Sequence, residues 1–352
     1  MIRERPAKKP GINAIIEVRI PDGFGYYRLV SANFFELPES EQISELTNFA
    51  STVLESYEFS IKSIESINYE YNATFKVTVA DSTNYALRIN INSPRSAENI
   101  RAEVAWVHFL ENVDGILTPR PIANRFGKFV TTVAHAHSGR ELNCILYSWL
   151  DGEEVSDEPT LKQLHELGQA MARMHASSKD FVLPNDSTLP SFQDPFWETE
   201  DFLLSDKSKL NSQDKDLIAA AFKEIISRTD ALYSRANPQI IHADLHGWNM
   251  KWHNDQLSIF DFDDSGIGLP IQDIATALYY LDTPEQDEAL LNGYKSVRQL
   301  PPHTKADLEM LLIHRRLMLL NYLYETNNQE HQELIPTYLE ETLRRLRVFL
   351  NN

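Results

Sequence analysis

The sequence predicts an α+β protein of two lobes, a small antiparallel sheet followed by a larger, mainly helical part. Three observations carry this. Between residues 58 and 150, short stretches alternate apolar and polar residues with period two. After Asp151-Gly152 the period changes to that of helices, with Leu161, Leu164, Leu167, Met171 and Met174 on one stripe and Leu308, Leu311, Leu312 and Leu317 to Leu320 on another. The strand-like pieces left in that half, residues 239–241 and 257–262, frame a polar loop. The expected division is an arm at 1–38, a strand-rich lobe at 39–150 and a helical lobe at 151–352.

The elements follow in order. Residues 1–38 hold Pro6, Pro10 and Pro21 and show no sustained period. From Glu39, Ile43, Leu46, Phe49, Ala50, Val53 and Leu54 recur at helical spacing. Residues 58–67 look strand-like. Strands at 75–79 and 84–91 flank Asp81-Ser82-Thr83, a hairpin turn by composition. Ser93 to Ala97, with Pro94 inside, breaks the pattern, and a helix is expected over 98–111. Two more strands are expected at 129–133 and 142–150.

Bulk properties limit the function classes. The chain has 352 residues and a net charge of −18, which disfavours nucleic acid or an anionic membrane as partner, because binding phosphate surfaces takes a basic face. The same charge serves solubility and also suits an acidic cleft for a cationic small molecule such as an amine, and charge alone does not decide between the two. Residues 1–10 are basic but lack the apolar core of a secretory signal. A single cysteine, Cys144, cannot form an internal disulfide, and a reducing, cytoplasmic setting is the expectation.

The chemistry concentrates in Ile240-Ile241-His242-Ala243-Asp244-Leu245-His246-Gly247-Trp248-Asn249 and in Leu257-Ser258-Ile259-Phe260-Asp261-Phe262-Asp263. Asp244 and Asn249 lie five residues apart on a segment containing Gly247, so both side chains can turn to one point. The second strand then delivers Asp261. Mg²⁺ takes one or two carboxylates or amides together with phosphate oxygens. Asn249 and Asp261 supply that set, and Asp244 is left to accept a hydroxyl proton, which suits phosphoryl transfer from ATP. His242 is expected to fix the loop by packing and hydrogen bonding.

In the first lobe, Arg88 is the one cation on its strand. Glu103 is the one charge on the stripe Ile100, Val104, Val107, Leu110 of the next helix. An inward charge needs a partner, and Arg88 with Glu103 is the simplest pair, orienting a guanidinium toward nucleotide phosphates. Asn72 and Thr74 lie on a glycine-free turn where a phosphate-covering loop is expected. Asp194, Trp197, Glu198, Asp201, Asp263 and Asp264 are the candidate substrate contacts. There is no G-x-x-x-x-G-K-[ST] run, which argues against a P-loop enzyme.

Two other functions fit parts of the pattern. His242, Asp244, His246, His253, Asp261 and Asp263 form a ligand set for a metal-dependent hydrolase. A nucleotide-binding module without turnover would tolerate the glycine-free turn.

Together these residues resemble the aminoglycoside phosphotransferase and choline kinase superfamily, from about Leu46 to the C-terminus, and the Tyr69-Glu70-Tyr71-Asn72 loop with a helix before the first strand resembles its homoserine-kinase-like and stress-response-kinase branches. The family pattern His-x-Asp-x-x-x-x-Asn falls on His242, Asp244 and Asn249, and its metal-binding Asp on Asp261. Gln272-Asp273-Ile274-Ala275 is similar to the Asp-Leu-Ala segment, which implies that Asp273 supports the catalytic loop. Arg88 matches the strand cation and Glu103 its helix partner. The 142–150 strand matches the hinge that receives adenine, with Tyr147 to Trp149 as the contact region. The resemblance implies a bilobal protein-kinase-like fold, with ATP and Mg²⁺ as cofactors and a small-molecule hydroxyl as acceptor. It departs from protein kinases at Ala243, at Phe262-Asp263 and in lacking an Ala-Pro-Glu segment, which implies a kinase without a phosphorylation-gated loop.

Overall fold

Apolar residues at every second position of the first half build one sheet. In the computed structural model, which describes residues 33–351, helix α1 (Glu39–Leu54) precedes β1 (Ile61–Tyr69), β2 (Ala73–Val79) and β3 (Asn84–Ile89). Helix α2 (Ala97–Leu110) follows, then β4 (Val130–His135) and β5 (Arg140–Ser148). The five strands pair antiparallel in the order β1-β2-β3-β5-β4. Ser82 takes a positive φ of 70° in the β2–β3 turn, and Asp81 Oδ1 accepts from the Thr83 N–H at 2.9 Å, as expected of that tripeptide. Phe75, Val77, Leu87, Ile89, Cys144 and Leu146 face Leu46, Phe49, Ala50 and Val53 of α1 and are all buried.

Most of the expected 1–38 arm lies outside the described residues. The part that is described packs: Phe34, in a short 3-10 turn at Phe34–Glu36, is fully buried with the sheet core.

The second half begins with a two-residue strand β6 (Glu153–Glu154) and helix α3 (Leu161–Ser177), then α4 (Ser212–Tyr233). Three short strands follow, β7 (Gln239–Ile241), β8 (Met250–His253) and β9 (Gln256–Ile259), then β10 (Gly266–Gly268). The rest is helical: α5 (Pro270–Tyr279), α6 (Pro284–Val297), α7 (Lys305–Glu325), α8 (Gln329–Glu333) and α9 (Ile335–Phe349). β7 pairs with β10, and β8 with β6 and β9, all antiparallel.

Helix starts follow local rules. Ser96 with Asn99, Thr160 with Gln163 and Thr283 with Gln286 form reciprocal caps on α2, α3 and α6. Helices α3 and α6 approach so closely that a Cβ on Gly293 would lie 1.9 Å from the His165 carbonyl oxygen.

The described chain divides into two compact units. One takes residues 33–94 and 121–149; the other takes 95–120 and 150–351. Helix α2, which the sequence groups with the sheet, therefore belongs with the helical unit. Among the described residues no helix is long and apolar enough to cross a membrane.

Candidate active site

The loop between β7 and β8 is shaped from behind by one carboxylate. Asp273, on the first turn of α5, is fully buried. Its Oδ1 accepts from the Ala243 N–H at 2.8 Å, and its Oδ2 from the His242 N–H at 3.3 Å and from His175 Nε2 at 2.9 Å. Burial alone would raise its pKa, but the His175 hydrogen bond and charge, with the His242 charge and the Ala243 N–H, bring it below the ordinary carboxylate value. The bond to Ala243 holds that residue at φ 69°, a left-handed conformation that costs an alanine about 1–2 kcal/mol. His242 donates from Nε2 to the Phe260 carbonyl at 3.2 Å and packs on the Phe262 ring.

At the front of the loop stands Asp244. Asn249 Nδ2 donates to its Oδ2 at 3.0 Å and to its backbone oxygen at 2.8 Å. His246 Nε2 reaches the same Oδ2 at 3.3 Å. Arg315 Nη2 donates to Oδ1, and also to the Tyr280 hydroxyl at 2.6 Å. Burial pushes the Asp244 carboxyl up, but Arg315 and His246 outweigh it and hold it well below the usual range. Gly247 allows the turn: a Cβ there would fall 1.6 Å from the Ser156 carbonyl oxygen. Trp248, half exposed, is pinned by its Nε1–H to Asp157 at 2.8 Å.

Asn249 turns its amide nitrogen to Asp244, which leaves its amide oxygen on the opposite side. Asp261 follows β9, is exposed and adopts φ 60°. Both offer hard oxygen donors of the type Mg²⁺ takes. Beyond Asp261, Arg95 Nη2 pairs with Asp264 at 2.7 Å and Arg95 Nε donates to the Asp263 carbonyl at 3.0 Å. Arg95 is a residue the sequence reading passed over, because it lies in the Pro94 break.

Three of the expected substrate acids, Asp194, Glu198 and Asp201, bond N–H groups of their own stretch. Asp194 Oδ1 accepts from the N–H groups of Phe196 and Glu198, at 2.9 and 3.0 Å. Asp201 Oδ1 accepts from Leu203 and Leu204, at 2.8 and 2.7 Å. Glu198 accepts from the Ser191 N–H at 3.0 Å. Trp197 sits between them at φ 53°, edge-on to His314, with the Arg315 guanidinium 5.7 Å from its ring centre. His314 donates from Nε2 to the Pro195 carbonyl at 2.8 Å, and burial pushes its pKa down to about 4.

In the sheet unit, Arg88 is buried on β3 with its guanidinium 5.7 Å from the Tyr147 ring centre. Lys76 lies over Trp149 at 5.0 Å. Asn72, in the β1–β2 turn, accepts at Oδ1 from Nδ2 of Asn90, just past β3, at 2.7 Å. Glu103 is buried on α2, in the helical unit, as its place on the apolar stripe predicts. The hydrolase ligand set is not brought together. Among the described residues no group of three or more His, Cys, Asp or Glu side chains is arranged to hold a metal. His242 points inward to Phe260, and the exposed His253 ring meets its neighbour Asn254.

With this geometry in place, the chain can be set beside known proteins. The model of the APH phosphotransferase enzyme family matches residues 65–315, well over half of the chain. The chain belongs to that family. A relative is the amicoumacin kinase of Bacillus subtilis (strain 168), 26% identical over 294 residues, covering 77% of this chain and 83% of the relative. Another is the homoserine kinase of Sinorhizobium medicae (strain WSM419), 27% identical over 291 residues, covering 80% and 82%. The solved structure of the amicoumacin kinase hAmiN, in complex with AMP-PNP and Ca²⁺, aligns over 88% of this chain and 96% of its own with a TM-score of 0.72 at 19% identity. The kinase-like α+β fold expected from the sequence is therefore the fold of the chain, and the family makes it a phosphotransferase rather than a hydrolase or an inert binding module.

Proposed function

We propose that this phosphotransferase moves the γ-phosphate of ATP to the hydroxyl of a small, amine-bearing alcohol. The observation that carries the reading is Asp244, held as an ionised carboxylate at the front of a loop that Asp273 shapes from behind. Asp244 orients the acceptor hydroxyl by accepting its hydrogen bond, so that the oxygen lies in line with the transferred phosphorus. With its pKa pushed so low, Asp244 aligns the nucleophile more than it removes the proton early.

Asn249 and Asp261 are the residues that would hold Mg²⁺. That ion supplies charge neutralisation across the nucleotide phosphates. In the sheet unit, Arg88 is assigned to the phosphates, the backbone around Tyr147 and Trp149 to adenine, and Asn72 to the turn that covers the phosphates. His242 and Asp273 fix the loop. The acceptor class rests on the homoserine kinase relative and on the net charge of −18. Trp197 and Asp263 are the wall residues assigned to the acceptor. Asp194, tied to two N–H groups of its loop, and Asp264, paired with Arg95, contribute charge and shape.

The test is a thermal-shift titration with Mg-ATP on wild type and Asp261→Asn, followed by ADP release in the presence of homoserine and related amino alcohols. A magnesium-dependent rise in melting temperature that fades in Asp261→Asn, with acceptor-dependent ADP release, is the expected result. Absence of any nucleotide shift in the wild type rejects the reading.

A further inference from the structure

Helix α7 carries two adjacent buried arginines that do opposite things. Arg316 has its donors satisfied by structure: Nε to Thr342 Oγ1 at 2.9 Å, Nη1 to the Tyr279 hydroxyl at 3.1 Å and Nη2 to the Tyr338 carbonyl at 3.2 Å, with its plane 4.2 Å from the Tyr338 ring centre. It ties α7 to α5 and α9. Arg315 divides its bonds between the end of α5 and the catalytic loop. Its Nη2 serves Asp244 Oδ1 and the Tyr280 hydroxyl, and its buried Nε finds no hydrogen-bond partner among the described residues. Its guanidinium lies between two rings, 5.7 Å from Trp197 and 5.4 Å from Tyr280.

A buried cation with an unsatisfied N–H is costly to keep. Shape does not require it, since an apolar side chain of similar volume fills such a space as well or better. What Arg315 adds is a fixed bond to one oxygen of Asp244. Asn249 and His246 hold the other oxygen, so the carboxylate is gripped from both sides and its rotation is stopped. The rings of Trp197 and Tyr280 fix the guanidinium plane in turn, and Trp197 belongs to the loop proposed to receive the acceptor.

We infer that Arg315 is a positioning residue of the phosphoryl transfer: through its bond to Oδ1 it sets the angle at which Asp244 meets the acceptor hydroxyl, and through Trp197 it couples that angle to the acceptor-side loop. The inference rests on the proposed kinase reading and deepens it. It predicts a loss in turnover at saturating acceptor, with nucleotide binding untouched.

The test uses wild type, Arg315→Ala, Arg315→Lys and Asp244→Asn. It reads ADP release with homoserine as acceptor, the KM for ATP, the Mg-ATP thermal shift and the melting temperature, with and without added guanidinium chloride at millimolar concentration. The expected result is a kcat about 10²-fold lower in Arg315→Ala, the scale of an approximately 1 Å misplacement of a catalytic group. The KM for ATP and the Mg-ATP shift stay as in wild type, guanidinium partly restores Arg315→Ala, and guanidinium does nothing for Asp244→Asn. Arg315→Lys, with charge but no fork, falls between. A kcat within twofold of wild type in Arg315→Ala overturns the inference and leaves the kinase reading standing. So does loss of folding in both Arg315 variants, which would make the residue structural. A wild type without nucleotide shift or ADP release overturns the kinase reading, and the inference with it.

Discussion

Asp273 and Asp244 stand on opposite sides of one loop and are held by opposite means. Asp273 is fully buried, and its partners are two backbone N–H groups and a histidine that the Tyr294 hydroxyl orients at 3.0 Å. Asp244 keeps about a fifth of its side chain exposed, 21%, and is held by side chains alone apart from its own backbone. Backbone partners cannot be substituted away, so the rear of the loop is built to last. Side-chain partners can be changed one at a time, so the front is built to be tuned. Turnover and stability should therefore separate cleanly between the two carboxylates.

The sharpest way to break the comparison is to neutralise each. Asp244→Asn keeps the shape and is expected to lower turnover by at least about 10³-fold, roughly 4 kcal/mol of barrier, with the Mg-ATP thermal shift preserved; steady-state ADP release measures it. Full turnover in this variant would remove Asp244 from the mechanism. Asp273→Ala leaves His175 and two N–H groups without their partner in the interior, a loss of about 3–5 kcal/mol in unfolding free energy, read by urea denaturation. Retained stability there would show that the rear is not the anchor described above.

A pH series sharpens the picture. His314 is neutral in the folded chain, with its pKa pushed to about 4 chiefly by burial, against 6.5 for a free histidine. A depressed folded value means that the unfolded chain binds the proton first. The stabilising contribution is therefore complete above about pH 6.5 and is lost as pH falls toward 4, by up to about 3 kcal/mol. Melting temperatures of wild type and His314→Asn should converge over that window. The smallest effect is expected farthest from the loop: Thr160→Ala removes the cap of α3 and should cost about 1 kcal/mol, with turnover unchanged.

What the sequence disclosed follows the range of the interactions involved. Asp244 and Asn249 lie between β7 and β8 and Asp261 just past β9, close enough in sequence that their spacing alone suggests one site. Glu103 announced its burial because a charge interrupted an apolar stripe. The helix starting at Glu39 and the Asp81-Ser82-Thr83 turn were legible for the same local reason. Arg315 was not: its partner Asp244 is 71 residues away, and helix α7 buries residues around most of its circumference, so no polar face singles the arginine out. Strand β10 is three residues long and includes two glycines, too little for any period to register. That Asp194 and Asp201 bond N–H groups two to four residues on was not legible, because a carboxylate in a loop looks the same in sequence whatever it faces.

The grip of Asp273 on the His242 and Ala243 backbone also matters for anyone redesigning the enzyme. Because the 242–249 loop takes its shape from α5, a library aimed at the stretch from Ser191 to Leu204 should keep Phe192, which packs with Ile241 and Ala243, and Trp197, which lies against Arg315. On the proposed assignment of that stretch to the acceptor, preference would be rewritten there on a chassis left as it is, with residues 239–249 and 270–275 untouched.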